Sequence, residues 1–176
     1  MAKIAYTKLN AKINQGIQTI VVEGSDNPIE VLQYLPIDEK LGLIGRVIEL
    51  AHDENNFSNP IKLQVFMELE MIDAYTNITF TEKQKENITK LYDALYSSGW
   101  LNKIMEAIPE DEREIIENGI YETVDAYYNY RNSVMGILDT VSQDYSDLNL
   151  DMTELQKKFT NGEGIELVKD IVTKLG

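Results

Sequence analysis

From Pro36 onward the chain is punctuated for helices, and this punctuation limits the fold more than any other feature. Pro36 suits the first position of a helix, and Asp38 and Glu39 suit the positive end of its dipole. Ile37, Leu41, Ile44, Ile48 and Ala51 then recur at helical spacing, which predicts one apolar face. The polar run His52-Asp-Glu-Asn-Asn56 ends that helix. Asn59-Pro60 opens a second, striped by Ile61, Val65, Leu69 and Ile72. Thr81-Glu-Lys-Gln84 has capping-box spacing ahead of Ile88, Leu91, Tyr92 and Leu95, and Ser98-Gly99 stops that helix. Trp100, Ile104 and Ile108 predict a short helix before Pro109. A long helix is then expected from Pro109 toward Val141, striped by Ile120, Val124, Tyr127, Arg131, Val134, Leu138 and Val141. Beyond it the sequence predicts a polar loop over 143–150, a helix from Asp151 to about Phe159 and a last helix over Ile165 to Leu175.

The segment before Pro36 reads differently. Ile17-Gln-Thr-Ile-Val-Val-Glu23 is rich in β-branched residues, Ser25-Asp-Asn-Pro28 has turn chemistry, and Ile29 to Leu35 alternates. This pattern predicts a hairpin, with a third strand available from Lys3 to Ile13. An isolated two-stranded hairpin is barely stable in water, so it must pack on something. The expected fold class is α+β, predominantly α: an N-terminal β-hairpin or small sheet followed by a helical bundle of about five to seven helices. The expected division is an arm and β element over 1–35 and an acidic helical domain over 36–176. No internal repeat or low-complexity segment interrupts it.

Charge is laid out unevenly. The chain of 176 residues carries 16 bases and 30 acids, a net of −14. The first 22 residues hold no acid and three lysines, Lys3, Lys8 and Lys12, so the remainder has a net of −17. A basic arm on an acidic body suits contact between unlike surfaces, including between copies of one chain. The acidity argues against direct nucleic-acid binding, which needs clustered Lys and Arg. It suits a basic protein partner or plain solvation. Residues 109–125 hold seven acids and one arginine, and 132–156 hold five acids and no base. Glu110, Asp111, Glu112 and Glu114 are the densest group and are expected to form an acidic surface.

Catalytic and cofactor signatures are missing from the sequence. The absence of cysteine removes disulfides, thiol nucleophiles and cysteine metal sites. His52 is the single histidine and lacks a His-x-x-x-His partner, so stabilising a helix end explains it better than metal binding. Asp147-Leu-Asn-Leu-Asp151 begins like a calcium loop, but Met152 replaces the glycine and Lys158 the closing glutamate. There is no Gly-rich phosphate loop and no G-x-S-x-G elbow. No cofactor, no metal and no enzymatic activity are therefore expected. Asn77-Ile-Thr79 and Asn87-Ile-Thr89 match the glycosylation pattern, but Met1 to Val22 has no continuous apolar core of the kind a signal peptide needs. No apolar run approaches the roughly 20 residues of a membrane helix.

Protein contact is the chemistry that remains. The residues expected to carry it are Lys3, Lys8, Lys12, Ile20 and Val22 near the start, and Tyr127, Tyr128, Tyr130 and Arg131 on the long helix. Tyr121 and Tyr145 belong to the same tyrosine-rich region. Tyrosine is amphipathic and common at interfaces, and an arginine inside an apolar stripe needs a partner.

Ile29-Glu-Val-Leu-Gln-Tyr-Leu-Pro-Ile-Asp-Glu-Lys-Leu41, Asn56-Phe-Ser-Asn-Pro60, Ala74-Tyr-Thr-Asn-Ile78 and Tyr130-Arg-Asn-Ser-Val134 resemble stretches of small acidic proteins of tailed phages and prophages of Gram-positive hosts. The resemblance spans about residues 29 to 176 and is one of style, without a diagnostic motif. A hairpin feeding an acidic helical body is also similar to phage tail assembly chaperones. The resemblance implies a morphogenesis or virion protein, found in the host cytoplasm during assembly or in the virion. Its partners would be other phage proteins or copies of itself. The alternative is an acidic DNA-mimic inhibitor of a host nucleic-acid-binding defence protein.

Overall fold

The computed structural model describes residues 3–13, 15–23, 26–52, 58–133 and 136. Among them the chain forms two short strands and six helices, an α+β fold that is mostly α. In chain order these are β1 (Ile17–Ile20), β2 (Ile29–Leu32), α1 (Ile37–Ala51), α2 (Pro60–Tyr75), α3 (Glu82–Lys85), α4 (Ile88–Ser97), α5 (Trp100–Ala107) and α6 (Glu110–Arg131). Contacts gather the chain into two units, residues 1–121 and 122–176. The first holds the hairpin, α1 to α5 and α6 as far as Tyr121.

β1 and β2 pair antiparallel, Ile17 opposite Leu32 and Ile20 opposite Ile29. The expected third strand does not form. Tyr6–Leu9 makes a single 3-10 turn, closed by the Lys8 amide on the Ala5 carbonyl at 3.0 Å. Asn10 follows in the left-handed region at φ 48°, a conformation that asparagine tolerates and a strand does not use.

Helix boundaries follow local chemistry. Pro36 caps α1 from just outside it instead of standing at its first turn. Asn59 Oδ1 accepts from the amides of Ile61 and Lys62 at 2.9 and 3.3 Å, so α2 starts where the sequence placed it. Gln84 Oε1 reaches back to the Thr81 amide and hydroxyl, both at 2.9 Å. That box opens only the four-residue α3, and α4 begins afresh at Ile88. Gly99 separates α4 from α5 at φ 79°, where a side chain is strained. The long helix α6 closes at Arg131, short of Val141. The Ser133 amide and hydroxyl both bond the Tyr130 carbonyl, at 2.9 and 2.6 Å, and take up one of its last acceptors. The helices expected over 151–159 and 165–175, the loop over 143–150 and its rejected calcium pattern lie outside the described residues, as do Tyr145 and the stripe positions beyond Arg131.

The core of the first unit is built from Val31, Leu35, Leu43, Val47, Met71, Ile72, Tyr75, Ile104 and Ile116, all fully or almost fully buried. α1 packs along α2, and α5 packs against both α2 and α4. Gly119 of α6 lies so close to α1 that a Cβ there would stand 2.5 Å from Ile44 Cδ1. The buried face of α1 differs from the expected stripe. Lys40, Leu43, Val47 and Ala51 point inward, while Ile37 and Leu41 are more than half exposed. In α2, Ile61 is likewise exposed, and Leu63 takes the buried place.

Candidate functional site

Residues 3–13 are exposed at every position. They carry Ile4, Tyr6, Leu9 and Ile13, each 64% to 74% exposed, interleaved with Lys3, Lys8 and Lys12. The apolar exposure continues at Ile17 and Val21. Six of the fifteen exposed large hydrophobic side chains among the described residues therefore fall between positions 4 and 21. Scattered surface hydrophobes need no explanation, but this concentration in one segment does.

The strand that follows adds a second feature. The Gln33 amide donates to the Gly16 carbonyl at 2.8 Å, which sets the phase of the ladder. In an antiparallel pair, hydrogen-bonded and non-hydrogen-bonded positions alternate. Ile17 and Thr19 on β1, and Glu30 and Leu32 on β2, therefore turn their backbone groups outward. On β2 the outward edge is covered at Glu30. Asn77 Oδ1 accepts from the Glu30 amide at 3.0 Å, and the Asn77 amide donates to the Glu30 carbonyl at 3.3 Å. Asn77 Nδ2 also donates to the Pro28 carbonyl at 3.2 Å. On β1, Ile17, Gln18 and Thr19 all remain exposed, so its outer edge is open. At the foot of the hairpin, Gln33 Nε2 donates to the Ala107 carbonyl at 3.0 Å and ties it to α5.

Lys3, Lys8 and Lys12 are thus placed on an exposed surface, and Val22 is half-buried. Ile20 is not available as a contact residue: it is 8% exposed and belongs to the core. The structure does not make one apolar surface of the tyrosines. Tyr127 and Tyr130 are exposed, Tyr128 is half-buried, and the Tyr127 and Tyr128 rings meet edge-on at 5.8 Å. Arg131 is half-buried at the stripe's margin, with Nη1 3.3 Å from the Tyr127 hydroxyl and its guanidinium 5.9 Å from that ring's centre. His52 caps α1: its Nδ1 meets the Ile48 carbonyl at 2.6 Å, and its Nε2 meets Ser58 Oγ at 3.2 Å.

Glu110, Asp111 and Glu114 are exposed, but Glu112 is 4% exposed, which removes it from the acidic surface. Its Oε1 lies 2.6 Å from Lys40 Nζ. Its Oε2 accepts from the Leu35 amide at 3.0 Å and from the Tyr75 hydroxyl at 2.9 Å. One carboxylate thereby joins the hairpin's exit, α1, α2 and α6. Lys40 Nζ also lies 4.8 Å from the centre of the Tyr34 ring. Sequence reasoning sought the buried charge at Arg131 and missed this one. A signal existed: Glu112 precedes Ile116 and Ile120 at four-residue steps, and Lys40 shares a helical face with Leu43 and Val47.

Burial pushes the Glu112 carboxyl upward, but hydrogen bonds from Lys40, Leu35 and Tyr75 and the Lys40 charge outweigh it and hold the carboxyl below its ordinary value. Tyr75 is pushed well above the usual tyrosine range, first by burial and then by its bond to Glu112. The lowered carboxyl contributes stability above its unfolded pKa of about 4.3, and that contribution is lost as pH falls through the folded value. The raised phenol acts oppositely: its contribution is complete below about pH 10 and declines as pH rises beyond it. Thermal melts across pH should therefore steepen at both limits. Glu112→Gln should flatten the acid limb, and Tyr75→Phe the alkaline limb. Unchanged limbs in both variants would contradict this assignment.

Among the described residues, no group of three or more His, Cys, Asp or Glu side chains is arranged to hold a metal ion, and no helix is long and apolar enough to cross a membrane. No protein-family model, no curated protein and no solved structure matches this chain.

Proposed function

We propose that this is a non-enzymatic protein that works through protein–protein contacts, as a phage morphogenesis or virion component of the tail-assembly-chaperone kind would. The observation that carries this reading is the exposed segment 3–13, with four large apolar side chains, three lysines and no carboxylate. Apolar groups held in water favour any partner that covers them, and lysines set the sign of that partner. The open edge of β1 supports the same reading, because an extended segment of another chain can add to it by backbone hydrogen bonds.

Solution mass tests the proposal. The full chain at low salt should sediment above its own 20.1 kDa and should shift toward it as salt is raised. Deleting residues 3–13 should give the single-chain mass at every salt concentration. A deletion variant with the same mass and salt dependence as the full chain would remove the segment from the contact and overturn the reading.

A further inference from the structure

The exposed segment raises the question of what covers it, and concavities of similar size lie among the described residues of the first unit. One, of about 440 Å³, is mostly apolar at its surface, with Leu91 and Ala94 beside Lys83 and Lys90, and contains no carboxylate. Its charge has the same sign as that of the segment. Another, of about 400 Å³, lies between α2, α5 and α6. Its surface is mostly polar: Met67 and Met105 are half-buried along it above the fully buried Met71, and Glu68, Glu106 and Glu117 stand around it with Arg113. Glu68 is engaged by the Tyr92 hydroxyl at 2.7 Å, and Arg113 Nε by the Ile108 carbonyl at 3.3 Å. Glu106 and Glu117 are exposed and make no hydrogen bond or ion pair among the described residues.

We propose that this acidic-rimmed groove receives residues 3–13 of a second copy of the chain, with the lysines against Glu106 and Glu117 and an apolar side chain from Ile4, Tyr6, Leu9 or Ile13 against the accessible parts of Met67 and Met105. The inference rests on the protein-contact reading above and names the partner and its receiving surface. Three properties match. The groove is mostly polar and acidic at its rim, with Met67 and Met105 partly exposed, whereas the segment is basic with interleaved apolar side chains. Methionine is unbranched and adaptable, which suits a surface that must accept an irregular, loosely structured segment. The acidic body supplies attraction over distance, and the rim carboxylates supply local registry. Segment and groove are different surfaces, so the contact either is exchanged reciprocally in a closed dimer or passes head to tail through a ring or filament. Every such arrangement exceeds one chain in mass.

A charge swap between two full-length variants tests this. In the first, Glu106→Lys and Glu117→Lys make the groove basic beside an unchanged basic segment. In the second, Lys3→Glu, Lys8→Glu and Lys12→Glu make the segment acidic beside an unchanged acidic groove. All five positions are exposed, so both variants should keep the parent's helical circular dichroism. Each alone should self-associate about tenfold or more weakly than the parent. Mixed in equal amounts they should associate again, because each segment then meets a groove of opposite sign. Failure of the mixture to associate overturns the groove. Loss of association on deleting 3–13 together with parent-like association of the groove variant also overturns it, while leaving the protein-contact reading intact. A parent that stays at single-chain mass at low salt rules out the second copy as occupant. Crosslinks between Lys8 and Glu106 confined to single chains, with none bridging two copies, would show the groove taking its own segment and would overturn the proposal as well.

Discussion

Glu112→Ala should be the most damaging single truncation of a polar side chain in the first unit, lowering stability by about 3–5 kcal/mol. The loss of attraction is the smaller part of this effect. Truncation leaves the Lys40 ammonium, 4% exposed, without its carboxylate, and it leaves the Leu35 amide and the Tyr75 hydroxyl without their acceptor. For a chain of this size the expected fall in Tm is on the order of 10 °C. Removing both charges at once should be much milder. Lys40→Met with Glu112→Leu leaves no unpaired ammonium, although the Leu35 amide and the Tyr75 hydroxyl still lose their acceptor, so the double variant should be more stable than Glu112→Ala but less stable than the parent. Denaturant melts of the parent, both single variants and the double variant form a cycle that isolates the coupling. Purely additive losses would mean that the two groups do not face each other in the folded protein.

Leu43→Ala should cost about 2–5 kcal/mol, whereas Leu41→Ala, two residues away on the same helix, should change stability by no more than about 0.5 kcal/mol. Leu43 is fully buried and Leu41 is 60% exposed, so only the first truncation opens a cavity. The comparison is sharp because the residue type, the helix and the chemical change are identical. Urea midpoints for the two variants would read it directly. Equal losses at the two positions would mean that α1 presents a different face to the core.

That pair of leucines also shows where sequence reasoning stopped. The spacing of Ile37, Leu41, Ile44, Ile48 and Ala51 identified α1 correctly as a helix but chose a face rotated away from the buried one. Periodicity arguments count apolar residues, and Lys40 sits among the residues of the true buried face. Its burial is possible only because Glu112, 72 residues later in the chain, arrives beside it. No local pattern around Lys40 announces that partner. The same holds for Ile20, whose β-branched neighbours suggested a strand but not which side of it the helices would cover.

What the sequence determined by itself was local. The Asn59-Pro60 start, the Thr81–Gln84 box, the Gly99 stop and the turn chemistry before Pro28 are short-range effects of backbone geometry and side-chain capping, as are the hairpin and the mostly helical, α+β class. The basic character of residues 3–13 against the acidic remainder is likewise plain in the sequence. Tertiary structure alone decided which helix faces are buried and that Asn77 covers one edge of the hairpin while the other stays open. It also decided that Glu112 is an interior clasp and that Glu106 and Glu117 stand beside Met67 and Met105 in one groove. These outcomes depend on which distant groups meet. Desolvating a charge or a backbone edge is unfavourable until its partner is in place, and that partner is supplied by packing.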